Sequence, residues 1–197
     1  MLTADFTESR MLATAPPQQA FQPRAQAYPM HLIENWQTAT DVPITIRPID
    51  AGDMALERPF LNGLSEQTRY QRLFSPRRLL PGELERLTHI DYQHEMALIA
   101  TTFVRGIEQQ IGVARYVKEA DGGCDFAIVI ADDWQCSGLG EKLLRNLMQS
   151  ARLTGIPRLT GVTLATNTGM QRLARKLDFE LRRDVGDATL IRLIKLL

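Results

Sequence analysis

The chain has no excess of charge to offer a nucleic acid or another polyanion: Lys+Arg and Asp+Glu each number 23 in 197 residues, a formal net charge of zero. It has only two cysteines, Cys124 and Cys136. That excludes a disulfide framework, their spacing suits no metal site, and both are read as free thiols. It has no basic N-terminal region leading into an apolar run, and no apolar stretch of the roughly 20 residues that a membrane helix needs. The expectation is therefore a cytoplasmic protein without a metal, a membrane segment or a nucleic-acid partner. What remains is 44% apolar and 23% charged, ordinary for a soluble globular chain of one domain plus an extension.

Residues 1–29 are rich in Gln, Ala, Pro and Thr and lack periodicity, which reads as a flexible tail. Residues 30–43 are more apolar, as in a segment that docks on a domain occupying 44–197. That domain opens with an alternating strand, Ile44 to Ile49. Two helices follow, Asp50 to Leu64 and Ser65 to Phe74, with Asp50 and Ser65 as N-caps, and then a third over Pro81 to Ile90. Strands over Met96–Arg105, Gln110–Lys118 and Cys124–Ile130 form an antiparallel meander. A strand at Leu159–Ala165, a helix at Thr168–Leu177 and strands at 179–184 and 188–193 complete a mixed α/β sheet of about seven mostly antiparallel strands with flanking helices.

The organising stretch runs from Cys124 to Leu153. Its strand places Asp125, Ala127 and Val129 on one face and Phe126, Ile128 and Ile130 on the other. The loop Gln135-Cys136-Ser137-Gly138-Leu139-Gly140 opens into a helix whose Leu143, Leu144, Leu147, Met148 and Ala151 recur at helical spacing. The first N–H groups of such a helix lack intrahelical partners, and glycines let a ligand reach them, so the join suits a phosphate or pyrophosphate. An ordinary strand-to-helix turn with glycines for tight geometry fits the same letters. A Walker loop does not fit, because Gly138 and Gly140 are one residue apart. A dinucleotide fingerprint fails at Leu143, where it requires a third small residue.

The pattern Gln-x-x-Gly-x-Gly resembles the acyl-CoA pyrophosphate loop of the GNAT N-acetyltransferases. Ser65-Glu-Gln-Thr-Arg-Tyr-Gln-Arg-Leu-Phe74, Ile90-Asp-Tyr-Gln-His-Glu-Met-Ala97 and Asn167-Thr-Gly-Met-Gln-Arg-Leu-Ala-Arg-Lys-Leu-Asp-Phe179 are similar to the acetyltransferase domain of bacterial Pat-type protein-lysine acetyltransferases. The resemblance covers about Ile44 to the C-terminus. It implies a GNAT-like fold that moves acetyl from acetyl-CoA directly to a primary amine, a protein lysine in the Pat-type enzymes. It assigns the cofactor to Gln135, Cys136, Ser137, Gly138, Leu139 and Gly140, to the backbone of Ile128 and Ile130, and to Asn167, which also reads as a helix N-cap. Arg69 and Arg72 fall on a helix that overlies the acceptor in the family, where they either bind substrate or line a solvated face.

Making a lysine neutral at pH 7 costs roughly 4.6 kcal/mol from its pKa of about 10.4, so a base is needed. Asp125 stands where Pat-type enzymes carry a catalytic Glu, one methylene longer, and a bridging water would restore the reach. Glu95 is the reserve candidate. Glu141 takes a position that is often basic in the family, Asp178 replaces a usual Gly, and no tyrosine lies between Asn167 and Leu197 to serve as an acid. A small amine or polyamine acceptor is the enzyme alternative. A catalytically weak acyl-CoA sensor, marked by Asp125 and Glu141, is the alternative from another class. Monomer and homodimer both stay open.

Overall fold

The computed structural model describes residues 28–74 and 80–197. The tail expected at 1–29 lies almost wholly outside them. One eight-stranded sheet runs through the described residues in the order β1-β2-β3-β4-β5-β6-β8-β7. Its strands are β1 (Glu34–Gln37), β2 (Pro43–Pro48), β3 (Glu95–Val104), β4 (Ile107–Lys118), β5 (Cys124–Ile130), β6 (Arg158–Leu164), β7 (Glu180–Arg183) and β8 (Leu190–Leu196). The helices are α1 (Met54–Gly63), α2 (Glu66–Leu73), α3 (Pro81–Thr88), α4 (Leu139–Leu153) and α5 (Thr168–Lys176). No helix among the described residues is long and apolar enough to cross a membrane.

The sheet has one strand more than the seven expected. The addition is β1, which the 30–43 segment contributes by pairing antiparallel with β2, Trp36 opposite Ile44. Its sequence, Glu-Asn-Trp-Gln, has one apolar residue and hence no alternation to read. The β3–β4 hairpin is also tighter than expected. Arg105 and Gly106 both take positive φ, 52° and 79°, the two-residue turn whose twist matches the strands, so β4 begins at Ile107. A register shift at Ala100/Thr101 marks a bulge in this pair.

Every sheet pairing is antiparallel except that of β5 with β6. These two run parallel and pair only at Cys124–Leu159 and Asp125–Thr160, then separate. Where they part, Gly161 lies against Phe126: a Cβ there would stand 2.7 Å from the Phe126 ring and 3.0 Å from its carbonyl oxygen. The Phe126 ring packs on Phe179, with centroids 5.2 Å apart. Beyond this point the carboxyl ends of β5 and β6 splay, and α4 and α5 follow them, so both helix N-termini sit at the mouth of one crevice.

The two faces of the sheet are covered differently. On one, α4 buries Leu139, Leu143, Leu144, Leu147, Met148 and Ala151 against Ile44, Ile46, Leu98, Tyr116 and Phe126. Each large side chain buried there contributes about 1.5–3 kcal/mol. On the other, α1 to α3 cover a smaller apolar group that includes Ile49, Phe60, Leu64, Ile99, Val113 and Val129. Phe126 and Val129 thus fall on opposite faces, as the alternation predicts.

Candidate active site

The glycine loop owes its shape to backbone chemistry. Gly138 takes φ 89°, a left-handed value that favours glycine, and Cys136 takes φ 60°. The Ser137 hydroxyl donates to the Trp134 carbonyl at 2.6 Å and accepts from Leu139 N–H at 3.3 Å. The helix therefore starts at Leu139 rather than after Gly140. Among the described residues no acceptor meets the N–H groups of Gly138, Gly140 and Glu141. At Gly140 a Cβ would stand 3.5 Å from Leu173 and 3.7 Å from Ile130, ordinary contact. The fold itself does not require glycine there, yet a helical glycine costs about 1 kcal/mol against alanine. What the glycine provides is open backbone at a helix N-terminus, the cradle that a phosphate needs.

Glu141 puts a carboxylate beside these open N–H groups. Lys176 at 2.5 Å and Arg145 at 2.8 Å both reach its carboxylate, and together they hold it below the usual carboxylate range. The charge at the mouth of the crevice is therefore one carboxylate against two cations. Lys176 comes from α5, which no loop motif would reveal.

From the loop, β5 runs back into the crevice. Ala131 N–H donates to Ile111 on β4, whereas the Cys124 carbonyl accepts from Thr160 on β6 and the Ile130 carbonyl from the Gln135 side chain. By strand alternation the backbone groups of Ile128 and Ile130 face the crevice. Gln135 itself spans to Thr68 on α2 at 3.2 Å. Asp132 accepts from the Ser65 N–H and hydroxyl and from the Thr68 hydroxyl at 2.6–2.9 Å; burial works against this carboxyl, and these bonds still hold it low. Gln135 is thus a brace that locks α2 to the glycine loop. Asn167 caps α5, accepting from Met170 N–H at 3.0 Å.

Asp125 sits at the start of β5, exposed, on the face covered by α1 to α3. It lies where β5 and β6 still pair, five residues before Ile130, or roughly 17 Å at about 3.3 Å per residue. Glu95, Val117 and Asp125 lie opposite one another across β3, β4 and β5, which puts the two carboxylates on one face but roughly 10 Å apart. Glu95 is buried and committed, accepting from Arg86 at 2.7 Å and from Asp91 N–H at 3.3 Å. Arg72 is half-buried on α2, and burial, then Arg115, push its guanidinium down to about 10 against the pull of Glu57 and Asp125. Arg69 carries a buried Nε with no partner among the described residues.

Neither cysteine offers a thiolate beside Asp125. Cys124 is fully buried and burial pushes its thiol up to about 11, and Cys136 is exposed in the loop at the far end of the crevice.

Sequence reasoning missed three contributions. Trp36 lies 3.9 Å from the Cβ position of Gly138, and Glu34 accepts from Lys142 at 2.5 Å and from Asn146 at 2.8 Å, so β1 braces the loop and α4. Glu57, buried on α1, stands 3.9 Å from the largely covered Arg115 of β4. These two had a readable signal: Arg115 interrupts the alternation Val113–Val117, and Glu57 takes the core-facing register of Phe60 and Leu64 in α1.

Residues 44–180 match the family model described as the Acetyltransferase (GNAT) domain. An acetyltransferase of Pseudomonas aeruginosa is 36% identical over 148 residues, which are 74% of this chain and 80% of that protein. The acetyltransferase Pat of Mycolicibacterium smegmatis is 31% identical over 147 residues, 72% of this chain but 43% of that longer protein. The crystal structure of the GNAT domain of S. lividans PAT superposes with a TM-score of 0.78 at 25% identity, covering 86% of this chain and 99% of that one.

Proposed function

This chain belongs to the GNAT family of acetyltransferases, and on that premise we propose that it moves acetyl from acetyl-CoA directly to the side-chain amine of a protein lysine. The observation that carries the reading is the split between β5 and β6, with open helix N–H groups at its mouth and Asp125 at its closed end. Acetyl-CoA supplies the activated acyl group. The N–H groups of Gly138 and Gly140, with Lys176 and Arg145 nearby, hold its pyrophosphate. The crevice-facing backbone of Ile128 and Ile130 pairs with the amides of its arm, and an N–H of the same edge takes the charge that develops on the carbonyl oxygen.

Asp125 accepts the proton of the acceptor ammonium, directly or through one water. The neutral nitrogen then bonds to the acetyl carbon as the carbon–sulfur bond breaks and the sulfur leaves with its electron pair; the second proton shed by the nitrogen passes to water or to the departing thiolate, since no tyrosine lies between Asn167 and Leu197 to deliver one. The lack of a thiolate beside Asp125 supports direct transfer rather than passage through an acyl-cysteine. Lysine as the acceptor is favoured by the likeness to the two Pat proteins.

The test is free-thiol release from acetyl-CoA with lysine proteins, lysine peptides and polyamines, comparing wild type with Asp125→Asn. Lysine-dependent release that falls about 10²–10⁴-fold in the variant is the expected result. Release driven by polyamines alone would replace the acceptor. Binding of acetyl-CoA without any stimulated release would make the chain a sensor.

A further inference from the structure

The first turns of α4 carry charges that are answered from two sides. On the β1 side, Lys142 is held by Glu34 at 2.5 Å, and Asn146 donates to the same carboxylate at 2.8 Å. On the α5 side, the Glu141 carboxylate takes two cations. Its Oε2 meets Lys176 Nζ at 2.5 Å, and its Oε1 accepts from Arg145 Nη2 at 2.8 Å and from Arg145 Nε at 3.0 Å. Lys176 ends α5, so this pair clasps α5 to the start of α4, beside the place where Gly140 faces Leu173.

Glu141 is the third residue of α4, and its own N–H is one of the three that no acceptor meets among the described residues. A carboxylate in a first helical turn and a bound phosphate draw on the same field, the positive end of the helix dipole. Here they also draw on the same two cations. The side chains of Lys176 and Arg145 are 66% and 54% exposed, so both are free to swing from the carboxylate to an anion at the loop while the core stays as it is. Exposed pairs of this kind hold weakly, and a phosphate that is also met by backbone N–H groups outcompetes one carboxylate for them.

We propose that Glu141 is a built-in competitor for the phosphates of the acyl-CoA: it holds Lys176 and Arg145 while the loop is empty, yields them to the pyrophosphate on binding, and reclaims them as CoA leaves. The proposal rests on the loop being the pyrophosphate site, and involves neither Asp125 nor the identity of the acceptor. Substrate and product carry the same pyrophosphate, so cations left unopposed beside these N–H groups would hold CoA as tightly as acetyl-CoA and slow its release. Glu141 lowers the affinity for both and shortens the stay of the product.

The experiment measures Kd and release rates of acetyl-CoA and CoA at low and high salt for wild type, Glu141→Gln, Lys176→Met and the double variant. Acetyl-pantetheine, which lacks the phosphates, is the reference ligand. Glutamine keeps the shape of the side chain and removes its charge, so Glu141→Gln is expected to tighten both CoA forms about ten-fold at low salt, mostly through slower release. Its affinity for acetyl-pantetheine stays within about two-fold of wild type, and the gain for CoA shrinks at high salt because the charges involved are exposed. Lys176→Met weakens CoA binding, and Glu141→Gln added to it gains less than in wild type. A CoA affinity that is unchanged or weaker in Glu141→Gln overturns the proposal, the carboxylate then being a brace for the two cations. An equal gain for acetyl-pantetheine, or a gain that survives high salt, overturns it as well. Glu141→Ala reads the same differences should Glu141→Gln not fold. A wild type that binds acetyl-CoA no better than acetyl-pantetheine removes the phosphate site and this proposal together, whereas a wild type that prefers acetyl-CoA, with an unmoved Kd in the variant, removes only the role of Glu141.

Discussion

The face under α4 and the face under α1 to α3 close the same sheet with different materials. The α4 side joins Leu143, Leu144, Leu147, Tyr116 and Phe126 in one apolar cluster. The opposite side interleaves its apolar cluster with Glu57, Gln110 and Arg115, all turned into the protein. Dispersion and the hydrophobic effect reward the first arrangement directly. The second carries a desolvation cost that its own ion pairing only partly offsets. A fold keeps such a face where chemistry needs charge at a fixed place, and Asp125 lies on it. In this molecule the α4 face supplies stability, and the face under α1 to α3 trades some of it for an electrostatic setting.

That contrast can be broken most sharply at Glu57. Glu57→Ala leaves Arg115 without its buried counter-ion, and the expected loss of unfolding free energy is about 3–5 kcal/mol, read by urea denaturation. A loss below about 1 kcal/mol would mean that water reaches the site and that the two faces do not differ in kind. On the α4 side, Leu144→Ala removes a fully buried side chain for about 2–5 kcal/mol. The pH dependence separates the two variants. Changing Leu144 removes no titrating group, so the loss is the same at every pH, whereas the Glu57 change alters how stability varies with pH.

How much could be read from the letters follows the same division. The strand, glycine loop and α4 were legible because their signals are local: alternation over Cys124–Ile130, a Gly138 that needs positive φ, and helical spacing of leucines. The split between β5 and β6 was not, since it depends on Gly161 meeting Phe126 from 35 residues away in the chain. Nor was the insertion of β8 between β6 and β7, which reverses the order in which the strands occur. β1 gave no period because it is short and mostly polar, and its worth lies in what Trp36 and Glu34 reach. The buried charges did leave a trace, as charged residues in apolar registers at Glu57 and Arg115. A rule that sends charge to the surface passes over such residues, which makes that exception the most useful one to look for at a site.

The smallest effect tests which force governs the polar face. Burial pushes the Glu57 carboxyl up, outweighing Arg115, Gln110 and Arg72, which pull it down. A carboxyl whose folded value is raised contributes its stability fully below the unfolded value, about 4.3, and loses it as pH climbs through the folded value. Wild type therefore loses stability over that window, and Glu57→Gln, which does not titrate, lacks this loss. The stability difference should move in favour of Glu57→Gln as pH rises from about 4 to 7, by about 1.4 kcal/mol per unit by which the folded value is raised. Urea unfolding of both proteins across that range gives the slope. If it has the opposite sign, the arginines outweigh desolvation, Glu57 is ionised at a net gain, and the polar face stabilises the fold in its own right.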